Sequence, residues 1–282
     1  MIQSSYEICR ICGIPIKVDL SLIILFFLVK GMFNDPLYDL MAFVLLVVSI
    51  VLHELGHSLV ARQFGCRVRD ITLMLIGGAA SLDELPRKPW QELLVAAAGP
   101  AVSLLLGGLG IWLAAPSLVT HPVTGQPVYV FLHRGFQQVM YYAFGWGNIV
   151  LCIFNLIPAF PMDGGRILRA ILQQCFMTRL KATWIASRIG RGIAILFVVG
   201  VILNAFGWHI PVIGGSWNLL LIAFFIFVSA DREYRSVYLQ EGGWGGGTWR
   251  FPKDPPTDKG KVTVDPPPYG KNKTKTDVYR DE

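Results

Sequence analysis

The run His53-Glu54-Leu55-Gly56-His57 lies inside the apolar stretch 40–61. On a helix, H-E-x-x-H places two imidazoles one turn apart on the same face, which is the spacing that a zinc ion requires. The glutamate follows the first histidine and lies beside the metal, where a general base is needed. The stretch is also long and apolar enough to cross a bilayer. Metal-binding and ionisable groups at membrane depth are costly, so this placement indicates a functional site.

The composition predicts a polytopic membrane protein. The chain of 282 residues is 53% hydrophobic and only 16% charged, whereas soluble domains have about 25% charged residues. Hydrophobic runs recur at six places, and the first and last are short for a full membrane span. The six runs are residues 18–33, 40–61, 93–115, 136–157, 189–208 and 217–230.

The distribution of positive charge predicts the orientation in the membrane. Of the 15 Lys and Arg residues before position 231, 13 fall on the side of the N-terminus, and only Lys30 and Arg134 fall on the other. The positive-inside rule therefore predicts a multi-pass protein, of the cell membrane, with both termini in the cytoplasm. The same rule accounts for the net charge of +6, which does not indicate nucleic-acid binding. The second and fourth runs then end at similar depth, in the inner half of the bilayer.

The segment between the second and third runs predicts a β-hairpin. Residues 71–76 are rich in strand-forming residues, Gly77-Gly78 follows as a turn, and 79–82 would form the second strand. An apolar loop packed against the helices is the alternative. The predicted fold is thus an all-α polytopic membrane protein of about six transmembrane helices, with a small membrane-associated β-hairpin after the second helix.

The chain is predicted to have three parts. Residues 1–17 would be a cytosolic N-terminal segment, and 18–230 would form the six-helix transmembrane domain. Residues 231–282 are polar and contain Gly-rich and Pro-rich stretches, which cannot build a core. They are predicted to be a disordered cytosolic tail.

The fourth run supplies a candidate for a third zinc ligand. Catalytic zinc has three protein ligands and one open position. After Asn155, two prolines end the helix, and Asp163 follows at the break, at the depth of His57. We therefore predict that one zinc ion per chain is bound by His53, His57 and Asp163, although a proline-rich turn with an aspartate is also common in ordinary loops. The remaining histidines are predicted to lie on the opposite side of the membrane: His121, His133 and His209.

The two motifs together resemble those of site-2 proteases, the intramembrane zinc metalloproteases. The second motif is similar to the Asn-x-x-Pro…Asp-Gly signature of that family at Asn155, Pro158, Asp163 and Gly164. The likeness covers roughly residues 15–230 and includes Gly77-Gly78 and Ala98-Gly99-Pro100. It implies a zinc-dependent endopeptidase that cleaves membrane-spanning proteins in or near the inner half of the bilayer, with substrate entry between the first and last spans. The six-span type without a PDZ domain fits best, because no segment between the two motifs is long enough for one.

The resemblance leaves regulation open. Relatives with six spans often have a nucleotide-binding domain at the C-terminus, and the tail of this chain does not look like one. A regulatory membrane protein is an expected partner, beside the substrate and the lipid bilayer.

Within this reading, each polar residue has an expected role. Glu54 would accept a proton from the attacking water and later deliver it to the leaving amine. Asn155 would donate a hydrogen bond to the oxyanion, or alternatively fix the fourth helix to a neighbouring helix. The hairpin would bind an unwound substrate as an added strand. The residues expected to contact it are Ile71, Leu73, Leu75, Gly77 and Gly78.

Three other functions compete with this one. A membrane zinc carrier would need polar residues along several spans, whereas here they gather at one depth. A non-catalytic relative would bind membrane proteins without cutting them, although every expected catalytic residue is present. Another membrane peptidase with H-E-x-x-H would use a downstream Glu or His in place of Asp163.

Overall fold

The computed structural model describes residues 5–31, 33, 35–74, 77–82, 86, 88–120, 127–131, 135–175, 177–207 and 218–241. The fold is mostly helical. Its helices, in chain order, are α1 (Leu22–Val29), α2 (Pro36–Gln63), α3 (Pro89–Ala114), α4 (Phe136–Asn155), α5 (Asp163–Gln174), α6 (Arg179–Ala205) and α7 (Asn218–Glu241). Its strands are β1 (Ser5–Ile11), β2 (Ile14–Asp19), β3 (Val68–Met74), β4 (Gly77–Leu82), β5 (Pro116–Thr120) and β6 (Pro127–Phe131).

Three of the described helices, α2, α3 and α6, are long and apolar enough to cross a membrane. Large apolar side chains on the long helices point away from the rest of the molecule. Leu105 and Trp112 on α3 are more than 70% exposed, and Phe224 on α7 is 71% exposed. Such outward-facing apolar surface is typical of helices surrounded by lipid, because lipid tails are as apolar as these side chains.

The first and last predicted spans differ most from the sequence expectation. α1 has eight residues, which rise about 12 Å and cannot cross a bilayer core of about 30 Å. The run 18–33 was too long as a helix because β2 extends to Asp19 and Gly31 adopts a φ of 89° just after α1. The full six-span count therefore stays a prediction.

The predicted boundary of the tail at residue 231 is wrong. α7 continues to Glu241, because Tyr234 and Val237 are buried on its inner face and Asp231 pairs with Arg235 one turn away. The predicted disorder of the rest of the tail, 242–282, lies outside the described residues.

The predicted hairpin is confirmed and belongs to a larger sheet. β3 and β4 pair antiparallel, while β1 and β2 form a second hairpin, and the sheet order is β1-β2-β3-β4. Gly77 and Gly78 are not the turn, since they open β4 opposite Met74 and Leu73. The expectation of an all-α fold with a single hairpin thus missed β1 and β2, which begin in the predicted N-terminal segment and end at Asp19, and also the separate pair β5 and β6.

The β1–β2 hairpin forms for a local reason. Cys12 and Gly13, the two residues between the strands, have φ angles of 51° and 78°, as a tight two-residue hairpin turn requires. Ile14 and Ile16 then point into a core that includes residues of α2. Arg62, near the end of α2, donates a hydrogen bond of 2.7 Å to the carbonyl of Cys12. The sheet is therefore attached to the helix that contains H-E-x-x-H.

The helices approach closely where small residues meet. A Cβ on Gly110 of α3 would lie 2.6 Å from Cα of Gly145 on α4, so only glycine permits this crossing. α4 also contacts α2 through a polar bond, in which Nδ2 of buried Asn148 donates to Oγ of Ser49 at 2.9 Å. These contacts fix the helix that ends at the second motif against the helix that contains the first.

Candidate metal centre

α2 supplies both histidines of the first motif. Because His53 and His57 lie one turn apart, both rings point to the same side of the helix, and both are buried. The two Nε2 atoms are 3.2 Å apart. A Cβ on Gly56, between them in sequence, would lie 2.9 Å from the side chain of Val102. The glycine thus lets α3 lie directly against the motif.

The turn after α4 supplies Asp163. α4 ends at Asn155, the Phe160–Pro161 peptide bond is cis, and Asp163 is the first residue of α5. Gly164 allows the sharp reversal, since a Cβ there would collide with the carbonyls of Leu156 and Ile157. The turn brings Oδ2 of Asp163 to 3.1 Å from each histidine Nε2.

These three atoms fit a zinc ion. With ligands at 2.0–2.1 Å in a tetrahedron, two ligand atoms are about 3.3 Å apart, and here the separations are 3.1, 3.1 and 3.2 Å. A carboxylate oxygen and two imidazole nitrogens are also the atoms that zinc accepts. Buried charged groups in proteins are paired or coordinate metals, and this donor set suits a divalent cation.

α3 holds both imidazoles from behind. Nδ1 of His57 donates to the backbone carbonyl of Val95 at 2.6 Å, and Nδ1 of His53 lies 2.8 Å from Oγ of Ser103. Because a carbonyl can only accept, His57 donates through Nδ1 and presents the Nε2 lone pair that a metal needs. The Ser103 hydroxyl can accept from Nδ1 of His53 in the same way. Gly99 lies between Val95 and Ser103 on α3, and a Cβ at this position would lie 2.6 Å from Nε2 of His53 and closer still to Nε2 of His57.

Glu54 completes the cluster. The ligand atoms of His53, Glu54 and His57 all lie within 4.8 Å of one another, as at a metal site. Unlike the histidines, Glu54 is only half-buried. Its side chain passes over β4, where a Cβ on Gly78 would lie 3.1 Å from its Cδ. The Glu54 carboxylate therefore lies beside the three converging atoms of His53, His57 and Asp163 but is not one of them.

The remaining predicted site residues lie elsewhere. Nδ2 of Asn155 donates to the carbonyl of Leu151 in its own helix. A bond from α4 to a neighbouring helix, the alternative role expected of Asn155, is made by Asn148 instead.

Ile71 and Leu73 are buried in the core below the sheet, and β3 is paired on both edges. The prediction that these two residues receive a substrate strand is therefore wrong. Of the others, Leu75 lies outside the described residues, whereas Gly77 and Gly78 lie in β4, an edge strand of the described sheet.

Sequence reasoning missed the contribution of α3. Ser103 contacts His53 through its hydroxyl, Val95 contacts His57 through its backbone carbonyl, and no motif marks either residue. Gly99 belongs to the family likeness at Ala98-Gly99-Pro100, but the sequence does not show that its missing side chain makes room for both rings. A helical spacing could have found them. Positions 95, 99 and 103 are four apart, so they form one stripe along α3.

Comparisons with known proteins agree with this site. The model of peptidase family M50 matches residues 41–131 and 117–199. A zinc metalloprotease of Methanocaldococcus jannaschii, MJ0392, is 35% identical over 238 residues, which are 84% of this chain and 62% of that protein. A putative zinc metalloprotease of Synechocystis, sll0528, is 39% identical over 70% of this chain and 48% of its own length. This chain thus spans less than two thirds of either relative.

A solved structure shows the same fold. The site-2 protease from Methanocaldococcus jannaschii is 34% identical, with a TM-score of 0.56, and the match covers 82% of this chain and 95% of that one. The residues that the family model matches include both H-E-x-x-H and the turn with Asp163.

Proposed function

The chain belongs to peptidase family M50, and from this premise we propose that it is an intramembrane zinc metalloprotease that hydrolyses peptide bonds of membrane-spanning proteins. One observation supports this most directly: two imidazole nitrogens and one carboxylate oxygen lie 3.1–3.2 Å from one another within apolar helices. A general base, Glu54, lies beside them.

In this proposal His53, His57 and Asp163 would hold one zinc ion. Bound zinc supplies a Lewis acid that lowers the pKa of water and polarises a carbonyl. α3 orients both imidazoles, through the carbonyl of Val95 and the hydroxyl of Ser103.

Glu54 transfers the proton. Its carboxylate accepts the proton from the attacking water and delivers it to the leaving amine. It is only half-buried, and Gly78 of β4 leaves room for its side chain. We give Asn155 the secondary role of ordering the end of α4, since its amide donates within that helix.

The substrate is expected to add to β4. A transmembrane helix hides its backbone in its own hydrogen bonds, so cleavage requires an extended segment. β3 is paired on both sides, whereas β4 is the edge of the described sheet and passes below Glu54. A strand added at this edge would lie next to the general base and gain main-chain hydrogen bonds.

We further propose the full six-span arrangement in the cell membrane, with both termini in the cytoplasm. α2, α3 and α6 support it by length and apolarity, and α4 and α7 have 20 and 24 residues. The remaining span would be the predicted run 18–33, in which α1 is too short for a full bilayer core and would require a locally thinned bilayer. α2 and α4 then run in the same direction, which places the metal centre towards the cytosolic side.

The test of the function is the Glu54→Gln variant. In membranes that contain the wild-type enzyme, the substrate should be cut, and with Glu54→Gln it should accumulate intact while zinc content is unchanged. A proteomic comparison of the two membranes identifies the substrate. Equal cleavage by both forms would contradict the proposed chemistry, and loss of zinc in Glu54→Gln would contradict its role as base.

The test of the binding edge uses proline in β4. Along a strand, consecutive N–H groups point to opposite edges, so of Ala79→Pro and Ala80→Pro one removes an outward N–H and the other breaks the pairing with β3. The variant that loses the outward N–H should cut substrate poorly, yet bind zinc and unfold like the wild type. Undiminished cleavage by both variants would exclude strand addition at β4.

A further inference from the structure

A buried ion-pair network joins three helices close to the metal centre. Arg169 of α5 is fully buried, at 0% exposure. Its Nε and Nη2 donate to Oε1 of Glu92 on α3, at 2.8 and 2.5 Å. Its Nη1 donates at 2.6 Å to Oε1 of Glu233 on α7. The guanidinium therefore bonds to two carboxylates from two different helices, and no step of the proposed mechanism uses it.

The network is connected to the turn that supplies Asp163. α5 begins with Asp163, and Arg169 follows six residues later, about 9 Å along the helix. The Arg169 guanidinium also lies over the ring of Phe160, 5.1 Å from its centroid. Phe160 precedes Asp163 by three residues and Arg169 follows it by six, so Arg169 is attached to the chain on both sides of this carboxylate.

On α3, the network lies next to the support of the histidines. Glu92 is one turn from Val95, whose carbonyl accepts the bond from His57. A displacement of α5 against α3 would thus move Asp163 relative to His57. The Arg169–Glu92 pair is the polar bond that resists such a displacement.

α7 packs against the same turn from the other side. Ala223 and Ile226 belong to one buried apolar cluster with Ala159 and Met162, and Ala230 belongs to another with Phe160. Glu233 follows on the same face of α7, one turn after Ala230. Its carboxylate binds Arg169 of α5. The Glu233 side chain is 32% exposed, so it is less buried than Arg169 and Glu92.

We propose that Arg169 is a positioning residue that makes the placement of Asp163, and hence zinc binding, depend on the position of α7. This inference rests on the proposed function of the same site. Buried ion pairs add little stability over apolar packing, whereas they define one arrangement of the groups that meet there. Here that arrangement joins the helix of a metal ligand, the helix behind the histidines and the last described helix.

The test removes the α7 arm alone. Glu233→Gln leaves Arg169 paired with Glu92, so the protein should fold, and Glu233→Asp retains the charge. Glu241→Gln is the matched control, because it makes the same chemical change at an exposed position of α7. Zinc affinity is measured on the full chain by competition with a chelator. In the zinc-free protein, spin labels at the exposed positions Gln174 and Leu239 report the distance between α5 and α7.

Glu233→Gln should weaken zinc binding about tenfold, as loss of support around metal ligands does, and broaden the distance distribution. Its kcat should fall while KM is unchanged. Glu233→Asp should recover part of the loss, and Glu241→Gln should match the wild type. If Glu233→Gln binds zinc as tightly as Glu241→Gln with the same narrow distribution, the inference is wrong. Failure of the wild type itself to bind zinc would instead overturn the proposed function.

Discussion

Replacement of Gly99 by alanine is the sharpest test of the metal centre, because one methyl group would meet both histidines. The added Cβ would lie 2.6 Å from Nε2 of His53, whereas comfortable contact needs about 3.5 Å. At least one ring must therefore recede by about 1 Å, and zinc sites tolerate about 0.2 Å. The backbone of α3 cannot yield instead, since it also holds Val95 and Ser103 against the same rings.

We expect Gly99→Ala to weaken zinc binding at least about a hundredfold, or about 2.7 kcal/mol at 1.36 kcal/mol per factor of ten. Bound zinc after dialysis against a graded chelator series measures the change, and turnover should be lost in parallel. Gly108→Ala is the matched control on the same helix, because a Cβ there meets nothing within 4 Å. Equal zinc affinity in the two variants would show that α3 does not lie where the structure places it.

Three further substitutions separate the roles of neighbouring groups. Ser103→Ala should weaken zinc binding about 10- to 100-fold by releasing Nδ1 of His53, and a chelator titration that matches the wild type would contradict this. Gly78→Ala should displace the Glu54 side chain and lower kcat about tenfold or more, with zinc content as the check, since it should not change. Asn148→Ala should reduce the free energy of unfolding by roughly 0.6 kcal/mol, the mean for hydrogen bonds between membrane helices. Unfolding in detergent measures that loss, and turnover at saturating zinc should be unaltered.

The parts of the site that sequence could predict are those whose chemistry depends on spacing along one element. H-E-x-x-H needs only a helix to bring its histidines together, and Asp163 was found because a proline break ended a helix at the matching depth. The edge strand was misassigned for the opposite reason. Ile71 and Leu73 have the alternation of any strand, and only the pairing with β2, fifty residues earlier in the chain, shows that their strand is interior. Pairing between distant segments leaves no local signal.

The same distinction explains why α3 and Arg169 could not be assigned a role from sequence. On α3, positions 92, 95, 99 and 103 follow one another at three- and four-residue steps, so a single stripe faces α2 and α5. Each position contributes something different: a carboxylate to Arg169, a carbonyl to one histidine, space for both, and a hydroxyl to the other. A one-residue rotation of α3, about 100°, would remove all four contacts at once. The proposed metal centre is therefore as much a property of how α3 is docked as of its three proposed ligands. Glu92 of α3 is also bonded through Arg169 to Glu233 of α7. In the proposed coupling, a displacement of α7 therefore changes the positions of the proposed zinc ligands while both sequence motifs stay the same.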